Sequence, residues 1–297
     1  MGHDHHHHHG HHHHHGTKNL KVAFFLNLSF TIIEIIGGLM TGSLAILSDA
    51  LHDLGDSLSI GLSWYFQKLS EKGRDSKFSY GYKRFSLLGA VINAVVLLVG
   101  SVFIISEAVP ALTNPGEVDS KGMLILAIFG VIVNGAAVLR LKKGSSINER
   151  VISLHLLEDV LGWVAVLIGS LLIMYFNWQW IDPLLSLLIG IFIIYNVVRN
   201  LREAMGILLQ RTPKSVQVET VHDQLKTIDQ IIEVHDCHIW SMDGEYNVLS
   251  AHLVLNKAYV LEEQAEIKKQ AKSLLKKLGI NHATLEFELD GEHCDGC

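Results

Sequence analysis

Two pairs of side chains with the same spacing carry the chemistry that this sequence offers. In LAILSDALHDLGDSLSIG, His52 and Asp56 stand one helical turn apart, and in SLHLLEDVLGWVAV so do His155 and Asp159. Two imidazoles and two carboxylates form the ligand set of a tetrahedral divalent cation, and Zn²⁺ prefers four-coordination. Co²⁺ and Cd²⁺ remain compatible with the same groups. Asp49 and Asp53 fall on the face of the first segment that carries His52 and Asp56, because positions i, i+3, i+4 and i+7 share one helical stripe. Asp49, Asp53 and Glu158 can each cap, pair or tune such a site, or ligate directly. The alternative is that all these groups only pair with one another and fix helix packing.

The elements that hold them are apolar. A spanning helix takes roughly 20 mostly apolar residues, and six stretches qualify: about 20–40, 44–66, 85–107, 122–141, 151–176 and 180–208. Ionisable groups inside a span cost about 2.5–3.5 kcal/mol each, so their concentration in the second and fifth stretches needs a functional reason. Asn27 and Glu34 in the first stretch read as structural hydrogen bonders. Basic residues crowd the 67–84 loop (Lys68, Lys72, Arg74, Lys77, Lys83, Arg84) and the 140–150 loop (Arg140, Lys142, Lys143, Arg150). The opposite connections are nearly free of them, which places both termini in the cytoplasm. The chain is then a polar tail (1–16), a six-helix membrane domain (17–209) and a cytoplasmic domain (210–297).

The tail, MGHDHHHHHGHHHHHG, is interrupted by Asp4, Gly10 and Gly16 and runs without a linker into an apolar segment. Those interruptions favour a native metal-attracting tail over a laboratory handle. No cleavable signal peptide is visible. A net charge of −6 argues against nucleic acid as a partner, and three cysteines make no disulfide framework. There is no HExxH for a metalloprotease and no GxxxxGK[ST] loop for an ATP-driven pump, so an enzyme is not expected. From residue 213 the order α-β-β-α-β can be read, with Asp243-Gly244 at the hairpin turn.

The paired HxxxD signature, the LAILSDALHDLGD segment and YGYKRF (80–85) resemble the cation diffusion facilitator family, in its cobalt–zinc–cadmium resistance branch. The resemblance covers nearly the whole chain. It implies an α-helical membrane protein with six transmembrane helices, a small α+β ferredoxin-like cytoplasmic domain, a homodimer, and export of Zn²⁺ in exchange for H⁺ with His52, Asp56, His155 and Asp159 as the transport site. It also implies a cytoplasmic zinc site, structural or regulatory, at His235, His252 and Glu288. The terminal CxxC, Cys294 and Cys297, with His282, is a further candidate ligand set; the thiols can equally be idle or redox-active. Cys237 reads as core. In some members an acid after span six pairs with the basic residue matching Lys83; Gln210 stands there, so that interlock is not carried over. The absence of sorting signals and of long outer loops suits a bacterial inner membrane. A membrane zinc sensor or buffer that moves no metal is the competing reading.

Overall fold

The structure, a computed structural model, describes residues 13–70, 72–141 and 147–292; side chains are described from residue 24 onward, apart from 63, 64, 67, 140, 141 and 147–156. Six long helices come first: α1 His13–Thr41, α2 Leu44–Ser70, α3 Phe85–Ala111, α4 Ser120–Leu141, α5 Ile147–Phe176 and α6 Ile181–Leu208. At 1.5 Å per residue each exceeds the roughly 30 Å of a bilayer core. Five of them carry an apolar stretch long enough to cross a membrane. The other, α2, is as long, but Asp49, His52, Asp53 and Asp56 break its apolar run. The chain is an integral membrane protein, and helix is the form its spans must take, because lipid offers no partner to a bare N–H or C=O. Where α5 gives way to α6, Phe176 stacks on Trp178, which lies tilted against Trp180, and all three stay exposed, as aromatic side chains do at a headgroup boundary.

The chain divides into two compact units. One comprises the chain up to Tyr65 together with Gly89–Asn200; the other joins Phe66–Leu88 to everything from Leu201 onward. In the first, α4 and α5 pack along each other. The core is Phe30, Ala45, Ile46, Met123, Ala127, Trp163, Val166, Ile173 and Ile181. Small residues permit the close approaches: a Cβ at Gly37 would meet Leu126, one at Gly38 would meet Leu47, and one at Gly169 would meet Leu185. The tightest case is Gly130, whose added Cβ would lie 2.2 Å from Cδ2 of the buried Trp163. The Gly130→Ala variant should therefore lose about 1–3 kcal/mol through overpacking. Its thermal midpoint in micelles should fall by roughly 2–4 °C per kcal/mol lost.

In the second unit, α7 (Val218–Leu225), β1 (Ile231–Ser241), β2 (Asn247–Leu255), α8 (Leu261–Lys277) and β3 (Ile280–Leu289) follow in order. The sheet order is β1-β2-β3, with β1 antiparallel to β2 and β2 parallel to β3. The parallel pair needs a crossover, and α8 supplies it. This helix carries Glu262 and Glu263 in its first turn and Lys276 and Lys277 in its last, complementing its macrodipole. Alternation on β2 sends Leu249, Ala251, Leu253 and Leu255 to the core shared with Val221, Leu225, Ile267, Ala271 and Leu275 of the two helices. The result is a ferredoxin-like α+β domain, as expected.

Candidate functional site

On α2, Asp49, His52, Asp53 and Asp56 fall on successive turns, as their spacing requires. His52 Nε2 lies 3.9 Å from Asp56 Oδ2 on its own helix and 3.9 Å from Asp159 Oδ1 on α5. A zinc ion with ligands at about 2.0–2.1 Å separates tetrahedral ligand atoms by about 3.3 Å, so both gaps exceed a tetrahedral edge by only about half an ångström. Asp159 is buried, and His52 and Asp56 are partly so. Three of the four expected transport ligands therefore come together across two helices. The fourth, His155, is on α5 one turn before Asp159, but its side chain lies outside the described residues. Asp49 and Asp53 are buried, and Asp49 faces α5 at Gly162.

The surroundings of these groups contain residues that spacing alone did not single out. Asn27 donates to the Asp53 carbonyl and to Ser57 Oγ, both at 3.0 Å, and so ties α1 to α2 as a structural residue should. Glu34, read as another such residue, is fully buried within electrostatic reach of Asp53 and Asp49. Asp182, at the start of α6, carries no pattern in the sequence, yet it receives three hydrogen bonds from the first residues of α2 and the turn before them.

The second cluster lies on the sheet face away from α7 and α8. His235 on β1 pairs in register with His252 on β2, and Glu288 on β3 sits beside Val254. Glu288 Oε2 is 2.7 Å from His235 Nε2, and its Oε1 is 2.6 Å from His252 Nδ1. One ligand atom from each of these three residues lies within 4.8 Å of the others, which fits one metal ion. Period-two alternation puts Glu288 on a polar strand face, but it is buried, because the two imidazoles cover its carboxylate. A bulge separates His235 from His238, with Asp236 at φ 45°. The extra residue turns Ile239 back to the core while His235 stays with His252. Asp236 also holds His238, Oδ1 to Nε2 2.7 Å, and approaches His252 Nε2 at 3.5 Å.

The remaining candidates are placed elsewhere. His282 is at the opposite end of β3 from Glu288, edge-on to Tyr80 with ring centroids 5.9 Å apart. Cys294 and Cys297 lie outside the described residues, as does most of the histidine tail. Cys237 packs against the domain core, and burial, followed by the charge of Asp236, pushes its thiol up to about 11. Its packing against the core agrees with the reading of Cys237 as a core residue. Lys83 finds its acid partner not at position 210 but further on, in the β1–β2 turn: Asp243 Oδ2 lies 3.8 Å away, with the Tyr246 ring below the ammonium. Gln210 sits in a turn at φ 60°. The partly exposed Lys83–Asp243 pair is worth at most about 1 kcal/mol. In YGYKRF, the Tyr82 hydroxyl donates to Asp75 Oδ2 at 2.7 Å and, with two backbone amides, holds that carboxyl below its usual range.

A helical membrane domain with ligand-type side chains on facing helices, followed by a ferredoxin-like domain, defines a class of cation-handling membrane proteins. The chain belongs to the cation efflux family: residues 20–209 match the cation efflux transmembrane domain, and residues 213–288 match the cytoplasmic domain of cation efflux proteins. It is 34% identical to the cadmium, cobalt and zinc/H(+)-K(+) antiporter of Bacillus subtilis, over 99% of this chain and 94% of that protein. It is 32% identical to the metal cation efflux system protein CzcD of Cupriavidus metallidurans, over 92% of this chain and 86% of the relative. Identity is also 32% to the zinc transporter ZitB of Pectobacterium atrosepticum, over 99% and 92% of the two chains.

Proposed function

We propose that the protein exports Zn²⁺, and with it Co²⁺ or Cd²⁺, from the cytoplasm in exchange for protons, with His52, Asp56, His155 and Asp159 as the transport site. The observation that carries this reading is the convergence of His52, Asp56 and Asp159 from two spans. Names of relatives that specify zinc, cobalt and cadmium, and antiport with protons, support it. Metal binds only the neutral imidazole, so protons and Zn²⁺ compete for the same side chains. A site that faces the cytoplasm when loaded and the far side when protonated lets the proton gradient drive metal out. The match to the cytoplasmic domain of cation efflux proteins supports a homodimer, the basic loops support cytoplasmic termini, and the bacterial sources of the relatives support a bacterial inner membrane. His235, His252 and Glu288 hold a second zinc ion that stabilises or regulates the cytoplasmic domain. The tail, residues 1–16, collects metal near the entrance, and the protein is a carrier and not an enzyme.

Protein reconstituted in liposomes with a zinc dye inside tests this directly. Zinc should enter when the lumen is acidic, at a rate that follows the gradient and collapses with a protonophore. Tight zinc binding with no flux under any gradient would favour the sensor. Removing residues 1–16 should slow uptake only at low zinc and leave the maximal rate unchanged; complete loss would show that the tail is no accessory.

A further inference from the structure

Span two, which carries His52 and Asp56, begins in a place where its backbone has no ready partners. The first N–H groups of any helix lack intrahelical acceptors, and here Ser43, Ala45 and Ile46 are fully buried, which keeps water from them. Ser43 meets one need in the ordinary way, its Oγ accepting from Ile46 N at 3.1 Å. The others are met from a different helix. The Asp182 carboxylate accepts from Leu44 N at 2.8 Å, from Ala45 N at 3.3 Å and from the Ser43 hydroxyl at 2.5 Å. Asp182 and Ser43 are both fully buried. One turn further, Ser48 Oγ and Ser186 Oγ are 2.7 Å apart, both fully buried. Leu44, Ser48 and His52 lie on one stripe of α2 at intervals of four, so the two contacts form a rail that ends at the first metal ligand.

We propose that Asp182 is a positioning residue for the transport site: by capping α2 from α6 it fixes how deep span two sits and how far it is rotated, and hence where His52 and Asp56 meet Asp159. The role rests on the transport site proposed above. A carboxylate serves better than a neutral group, because its charge complements the positive end of the α2 dipole while both oxygens are used. Asp182 is not one of the four proposed ligands. Its effect is on geometry, as for outer-shell partners whose loss costs about 10–100-fold in metal affinity. A small ion in a tetrahedral site tolerates a displaced ligand less well than a larger one, so zinc should suffer more than cadmium.

The test compares Asp182→Asn, Ser186→Ala and Asp56→Ala with wild type, all as full chain in liposomes, measuring uptake of Zn²⁺ and of Cd²⁺. Asp182→Asn keeps one acceptor and turns an NH2 toward a backbone N–H. It should raise the KM for zinc about tenfold and raise the cadmium-to-zinc ratio. Ser186→Ala removes only the second contact and should shift both quantities in the same direction by less. Unchanged zinc KM and unchanged ratio in both variants, with Asp56→Ala inactive, would overturn the positioning role alone. Equal losses for both metals at unchanged KM would do so too, since they would show a folding role. Should Asp182→Asn fail to fold, Ser186→Ala decides by its ratio. Wild-type uptake by Asp56→Ala would instead remove the site that Asp182 is held to position.

Discussion

Asp159→Ala should lose zinc transport at least a hundredfold at low zinc while its zinc-free form melts no lower than wild type. Four-ligand zinc sites are worth roughly 10–16 kcal/mol. Removing one ligand of four therefore takes on the order of 3 kcal/mol, about a hundredfold in affinity. Stability moves the other way. A carboxylate held within a span costs about 2.5–3.5 kcal/mol, and Asp159 is buried there. Its replacement by Ala removes that cost and leaves a small apolar side chain. Flux in liposomes and a melting curve in chelator read the two effects separately. A drop in both would assign Asp159 to packing, and preserved flux would remove it from the site.

Glu288→Ala should abolish the stabilisation that zinc gives the cytoplasmic domain, with transport retained. With zinc at a hundred times Kd, a site formed only in the folded state contributes about 2.7 kcal/mol. For a domain of this size, that is roughly 10–20 °C in the midpoint of its transition. Both imidazoles meet the Glu288 carboxylate, so its loss removes one of three ligands and the group that orients the other two. A hundredfold weaker site at the same zinc concentration would contribute only about 0.4 kcal/mol. Melting the full chain with and without zinc gives the comparison. An undiminished zinc shift in Glu288→Ala would place the ion elsewhere, with the terminal thiols the next set to test.

The spanning helices and the approach of His52 to Asp56 were legible in the sequence, because both are local. Apolar length dictates a spanning helix, and i, i+4 spacing puts His52 beside Asp56 whatever surrounds them. The element order of the cytoplasmic domain was equally plain from its change of hydrophobic period. Its boundaries were less so: the helix that opens the order read from residue 213 forms only from Val218 to Leu225, since Pro213 and the turn near Val216 delay its start.

Long-range partners were decided by the tertiary structure. Burial of Glu288 on a strand face that alternation marks as polar depends on two imidazoles from other strands and on a bulge at Asp236. The acid beside Lys83 proved to be Asp243, 160 positions later in the chain, where no periodicity could announce it. Asp182 is the clearest case. As one acid at the head of an apolar helix it says nothing, and its meaning appears only when α6 lies beside the start of α2 and offers a carboxylate to bare N–H groups. Composition and spacing fix what one segment can do alone, whereas which polar group satisfies which depends on where separate segments come to rest.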